Sequence, residues 1–164
     1  MSTRKTPFVN GEFYHIYNRG VDKRNIFSEK EDLRRFFQSM NEFNVVPPIG
    51  SLYENSFRLG GRTPKLIARE EKLVNFVCYG INPNHFHFIM EQVMDGGISE
   101  FMKRLSGGYT CYFNSKHKRT GSLFQGKFKS IHVDRDEYLL HLSAYVNLND
   151  RVHKLNKKDH SLSM

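Results

Sequence analysis

Apolar residues along this chain alternate with polar ones in some stretches and recur at helical spacing in others. Residues 13–19, FYHIYNR, lie between Gly11 and Gly20 and read as a strand. Residues 29–43 carry Leu33, Phe36, Phe37 and Met40 as one helical stripe, with Ser28 as N-cap and Glu31 three residues on. Residues 73–81, LVNFVCYGI, read as a strand. The turn Asn82-Pro83-Asn84 and a second strand at 85–91, HFHFIME, make the two a hairpin. Residues 98–113 place Ile98, Phe101, Met102, Leu105, Tyr109, Tyr112 and Phe113 along one helical face. The Gly107-Gly108 pair weakens that helix by roughly 1 kcal/mol per glycine and offers a point of close approach for a strand or a phosphate backbone. Residues 128–133 read as a strand. Residues 135–149 read as a helix with Asp134 as N-cap and Glu137 three residues on. The order predicts an α+β fold: a ferredoxin-like βαββαβ core with an antiparallel sheet, plus a C-terminal helix.

Two stretches break the pattern. Residues 45–71 hold three of the five prolines and three glycines, and read as a long loop insertion. Residues 151–164 form a polar tail. With 164 residues, the chain is expected to be a single domain over 1–164 with one hydrophobic core.

Composition narrows the function classes. No apolar run approaches the roughly 18 to 20 residues of a membrane helix, and the N-terminus lacks the apolar stretch of a signal peptide. The expectation is a cytoplasmic protein with no membrane partner. Cys78 and Cys111 form no CxxC pair, which argues against a zinc ribbon or dithiol redox site. Lys and Arg number 25 against 17 Asp and Glu, a net charge of +8. That surplus points toward a polyanionic partner, nucleic acid first.

The sharpest chemical feature is His85-Phe86-His87. Alternate strand residues share a face, so both imidazoles project together while Phe86 and Phe88 enter the core. Two imidazoles on one face can chelate a divalent cation and leave coordination positions for substrate oxygens. The plainer alternative is a pair of half-exposed strand histidines.

The last helix carries Tyr138 and Tyr145, and Asn149 shares a face with Tyr145 at i+4. A tyrosine hydroxyl can attack phosphorus to form a phosphotyrosine ester. With an ordinary pKa near 10 it needs a neighbouring cation to act as phenolate. Asn149 offers a carbonyl oxygen as a third metal ligand. The plainer alternative makes both tyrosines packing residues.

Taken in order, these segments resemble the IS200-like transposases, the single-tyrosine HUH endonucleases that include the REP-associated tyrosine transposases. Asn82-Pro83-Asn84-His85-Phe86-His87-Phe88 resembles their PNHxH signature. Tyr14-His15-Ile16-Tyr17-Asn18-Arg19-Gly20 looks like their first strand. Gly108 to Asn114 and Gly121 to Lys129 resemble their YxxYFN and GxLFQGRFK blocks, and Tyr145-Val146-Asn147-Leu148-Asn149 their YIxLN element. The resemblance covers roughly residues 10–152 outside the insertion.

The resemblance implies that His85, His87 and Asn149 bind Mg²⁺ or Mn²⁺ and that Tyr145, borne on the C-terminal helix, is the nucleophile. Tyr138 has Leu142 at i+4, which binds no metal. The implied reaction is cleavage and strand transfer of single-stranded DNA, beside a hairpin, through a 5′-phosphotyrosine. Arg19, Lys23, Arg24, Lys116, Lys118, Arg119, Lys127 and Lys129 are the candidate backbone contacts. A homodimer is implied as well. Asp150 departs from the family, standing where relatives carry proline, so the helix is free to run on. The alternatives are a domesticated DNA-hairpin-binding protein that does not cut, and a metal-dependent hydrolase of small phosphate esters.

Overall fold

The computed structural model describes residues 7–50, 71–137 and 139–140. Within them the chain runs β1 (Phe13–Arg19), a 3-10 turn (Val21–Lys23), α1 (Lys30–Glu42), β2 (Val74–Asn82), β3 (His85–Gln92), α2 (Gly97–Lys116) and β4 (Lys129–Val133). The strands form one sheet in the order β2-β3-β1-β4, and every neighbouring pair is antiparallel. This is the α+β, ferredoxin-like arrangement expected from the sequence. Residues 136, 137, 139 and 140 are helical, and the Leu139 amide donates to the Arg135 carbonyl at 2.9 Å. The rest of the expected C-terminal helix, with Tyr138, Tyr145 and Asn149, lies outside the described residues, as do residues 51–70 of the insertion and the tail.

Strand alternation divides the sheet into two faces. Tyr14 and Ile16 of β1 join Phe86, Phe88 and Met90 of β3 in the main core, under Phe36 and Met40 of α1 and Ile98, Phe101, Met102, Leu105 and Tyr109 of α2. Both helices therefore cover one face. On the other face Ile89 and Val133 are buried with Phe13, Cys78 and Leu139 packed against them. The segment that follows β4 thus sets out across the face that the two helices leave open.

The structure corrects several expected details. The N-cap of α1 is Glu29, not Ser28, and the capping box is completed by Asp32 rather than Glu31. Asp32 Oδ2 accepts the Ser28 and Glu29 amides at 2.9 and 3.1 Å. The buried side of α1 is Asp32, Phe36, Ser39 and Met40, while Phe37 is exposed and lies edge-on to Tyr79. Helix α2 extends to Lys116, shortening the basic loop. A Cβ on Gly108 would sit 2.7 Å from the Phe43 ring, so the close neighbour is an aromatic ring and not a strand or phosphate. The root of the insertion also belongs to the fold: Val45, Ile49 and Leu73 are buried, and the Val46 amide donates to the Glu71 carbonyl at 2.8 Å.

Candidate active site

The β2–β3 hairpin turns through Pro83 and Asn84 and is held from two sides. The Gly20 amide donates to the Asn84 carbonyl at 2.8 Å, and the Ile26 and Phe27 amides both donate to the Pro83 carbonyl. Gly20 is needed here, because a Cβ at that position would lie 2.2 Å from the Arg24 carbonyl oxygen. The clamp fixes where β3 begins, and hence where His85 and His87 stand.

Register places Arg19 opposite His85, Tyr17 opposite His87 and His15 opposite Ile89, all on the face away from α1 and α2. The His85 and His87 rings lie 5.0 Å apart at 86° to one another. His85 Nδ1 is 2.7 Å from Oδ1 of Asn84, whose amide nitrogen donates to the Lys23 carbonyl at 3.3 Å. That second bond orients the Asn84 amide, so its oxygen accepts from His85 Nδ1–H. The lone pair of His85 is then on Nε2, the tautomer a metal ligand requires. Burial, reinforced by the neighbouring His15 and His85, pushes the His87 pKa down to about 4. His87 is therefore neutral at pH 7, which is also the ligating form.

The two histidines open into a cavity of about 770 Å³ lined by Tyr17, Asn18, Arg19, Lys23, Asn84, Gln125 and Lys129 as well. Three of these side chains are cationic and none is a carboxylate. Arg19 Nε donates to Gln125 Oε1 at 2.6 Å, and the Gln125 amide donates to the Arg19 carbonyl at 2.8 Å. Asn18 is buried and donates to the Gly126 carbonyl at 3.2 Å, pinning the same loop. The lining suits an anionic backbone with a nucleobase-sized ring beside it, since Tyr17 stacks near His87 at 5.8 Å.

The donor set fits a divalent cation that accepts imidazole nitrogen and takes its other ligands from substrate or water. Mn²⁺ meets that description better than Mg²⁺, which prefers oxygen ligands. Among the described residues no group of three or more His, Cys, Asp or Glu side chains forms a metal cage.

Of the basic residues singled out from sequence, the fold brings Arg19, Lys23 and Lys129 to this cavity. Lys116 is turned elsewhere, its Nζ pairing with Glu29 at 3.1 Å and Asp32 at 3.2 Å. Arg119 is spent on Asn114 and the Ser122 carbonyl. Arg24, Lys118 and Lys127 are exposed and do not line the cavity. Sequence reasoning missed His15, Tyr17, Asn84 and Gln125. The two-residue period of β1 carried a signal for the first two, which alternate onto the face of Arg19.

A family model described as IS200-like transposase matches residues 65–149, just over half of the chain. The fold is similar to that of a REP-associated tyrosine transposase bound to a REP hairpin. The TM-score is 0.54 at 13% identity, covering 93% of this chain and 74% of that one. A Deinococcus radiodurans R1 protein provisionally described as a transposase gives a TM-score of 0.48 at 12% identity, covering 88% of this chain and 95% of that one. No curated protein matches the chain. No helix among the described residues is long and apolar enough to cross a membrane.

Proposed function

The chain belongs to the IS200-like transposase family, and from that premise we propose that it cuts and rejoins single-stranded DNA through a 5′-phosphotyrosine at Tyr145. The observation that carries the reading is the cavity itself: two strand histidines beside Arg19, Lys23 and Lys129, with no carboxylate in the lining among the described residues. Such a lining attracts a phosphodiester and would repel few anions of any sequence, so it holds the backbone rather than reading bases.

In this scheme His85 and His87, joined by Asn149, hold Mg²⁺ or Mn²⁺. Once bound, the cation supplies charge that polarises the scissile phosphate and eases loss of the tyrosine proton. The Tyr145 oxygen attacks phosphorus in line. The P–O3′ bond breaks and the 3′ oxygen leaves with a proton as a free hydroxyl. The ester conserves the bond energy, so another 3′-hydroxyl can displace Tyr145 and join a new strand without a nucleotide cofactor. Arg19, Lys23 and Lys129 neutralise the bound backbone, with Arg24, Lys118, Arg119 and Lys127 as outer contacts on flanking DNA.

The path of the chain supports the nucleophile assignment. Leu139 packs with Ile89 on the histidine face, and Ile89 is two residues along β3 from His87, about 7 Å. Tyr145 follows Leu140 by five residues, a reach of at most about 17 Å. The whole of 1–164 acts as one unit in this reading, with 45–71 as an insertion and 151–164 as a tail. The active species is a homodimer, in which the tyrosine serves its own or the neighbouring subunit.

The test is incubation with labelled single-stranded hairpin DNA and Mn²⁺, followed by denaturing electrophoresis. A protein–DNA adduct that vanishes in Tyr145→Phe supports the proposal. Tyr17 stands inside the cavity and is the internal competitor. An adduct that survives Tyr145→Phe but is lost in Tyr17→Phe or Tyr138→Phe overturns the assignment. Tight hairpin binding with no adduct in the wild type identifies a domesticated binding protein instead.

A further inference from the structure

We propose that His15 positions the candidate metal ligand His87, accepting a hydrogen bond from His87 Nδ1–H and so presenting the His87 Nε2 lone pair to the cavity. The inference rests on reading His85 and His87 as ligands. His15 Nε2 lies 2.9 Å from His87 Nδ1, with the two rings stacked 5.1 Å apart at 19°. His15 is only 6% exposed and stands behind His87, outside the cavity lining.

Two nitrogens at that distance share one hydrogen, so one ring donates and the other accepts. If His15 donates, His87 must point an Nε2–H into the cavity. If His87 donates, its Nε2 lone pair faces the cavity. His15 Nδ1 is buried without a hydrogen-bond partner among the described residues, and it stays so in either arrangement. In the proposed arrangement that nitrogen carries a hydrogen and in the other a lone pair, so its burial costs the proposed arrangement more, and the field of the cavity has to outweigh that cost. The cavity supplies that field: Arg19, Lys23 and Lys129 line it, with no carboxylate among the described residues. An N–H dipole aimed at three cations is disfavoured and a lone pair is favoured. The field of the cavity and the hydrogen bond to His15 act in the same direction on His87.

The arrangement parallels that at His85, where Asn84 accepts from Nδ1–H. Each histidine then has a partner behind it that fixes the ring and the tautomer, the usual device around ligating imidazoles. A buried polar ring with one nitrogen unsatisfied also weakens the fold relative to an apolar residue of similar size. Core packing alone gives no reason for histidine at this place.

The experiment uses the full-length protein with ¹⁵N-labelled histidine. Long-range ¹H–¹⁵N spectra of the metal-free wild type are expected to show His87 protonated on Nδ1. In His15→Phe, which keeps a ring but removes the acceptor, His87 is expected to shift toward the Nε2–H form, and MnCl₂ titration to show 10- to 100-fold weaker binding, roughly the loss typical of such partners. His15→Gln restores an acceptor oxygen and is expected to recover most of the affinity, which a purely space-filling role would not produce. A folded His15→Phe variant that binds Mn²⁺ like the wild type overturns the proposal. So does a wild-type His87 protonated on Nε2, and that measurement stands even if His15→Phe fails to fold. A wild type that binds no Mn²⁺ while His87 carries its proton on Nδ1 removes the ligand reading and leaves the hydrogen bond in place.

Discussion

Replacing Asp32 with Asn tests whether a buried carboxylate ties the start of α1 to the end of α2. Asp32 is fully excluded from solvent. Oδ2 accepts the amides of Ser28 and Glu29. Oδ1 accepts Tyr112 Oη–H at 3.1 Å and Lys116 Nζ–H at 3.2 Å, and His117 Nε2 lies within 3.2 Å of both oxygens. Asn has the same shape, but one oxygen becomes an NH₂. Each of these partners presents a hydrogen to Asp32, so the amide faces donors whichever way it turns. Breaking a buried charged pair costs about 3 to 5 kcal/mol. Lys116 is partly exposed and keeps Glu29, which reduces the loss to roughly 2 to 4 kcal/mol. At about 2 to 4 °C per kcal/mol, the melting temperature should fall by roughly 5 to 15 °C.

The pH dependence gives an independent check on the same variant. Burial alone would raise the Asp32 pKa, but the Ser28 and Glu29 amides, Lys116 and His117 outweigh it and hold the carboxyl below its usual value. The folded pKa lies below the unfolded one. The carboxylate therefore contributes its full stability above the unfolded value near 4, and loses it as pH falls toward the folded pKa. Urea unfolding of wild type and Asp32→Asn at pH 7 should differ by the full amount, and the gap should close on acidification below pH 4. A difference under about 0.5 kcal/mol at pH 7, or a gap that does not narrow in acid, refutes the reasoning.

Two further outcomes follow from the geometry. A Cβ on Gly107 meets open space, so Gly107→Ala should stabilise the protein by roughly 0.5 to 1 kcal/mol through helix propensity. Gly108→Ala gains the same propensity but strikes the Phe43 ring, so its urea midpoint should fall below that of Gly107→Ala. On single-stranded DNA, changing Arg19, Lys23 or Lys129 to Gln should each reduce the slope of log K against log salt by about 0.7. Lys116→Gln, whose ammonium faces Glu29 and Asp32, should leave that slope unchanged.

The sheet was legible in the sequence because alternation is a local signal. Phe86 and Phe88 point inward, and His85 and His87 share the other face, as the two-residue period requires. The face of α1 was less legible. Leu33 and Phe37 drew the apolar stripe toward themselves, whereas the fold buries Asp32 and Ser39. Besides the Ser28 and Glu29 amides, the groups that hold Asp32 inside are Lys116 and His117, which arrive from more than 80 residues away, and nothing near Asp32 announces them. The same separation hid His15, whose partner His87 is 72 residues distant. Basic residues could be named but not sorted, because charge alone does not tell an ion pair with Asp32 from a wall of the cavity. Tyr145 and Asn149, singled out by their i+4 spacing and given roles by the resemblance, fall outside the described residues.

The alternation along β3 also means that two kinds of selection act on neighbouring residues. Phe86, Phe88 and Met90 answer to folding, since each is almost wholly enclosed beneath the helices. In the proposed reading, His85 and His87 answer to chemistry instead. On that reading, a substitution at either histidine would erase activity while leaving the apolar side of the strand untouched. If the proposed chemistry holds, a lineage that stopped cutting DNA would have a short path to becoming a stable binding protein, and the reverse path would demand both imidazoles at once.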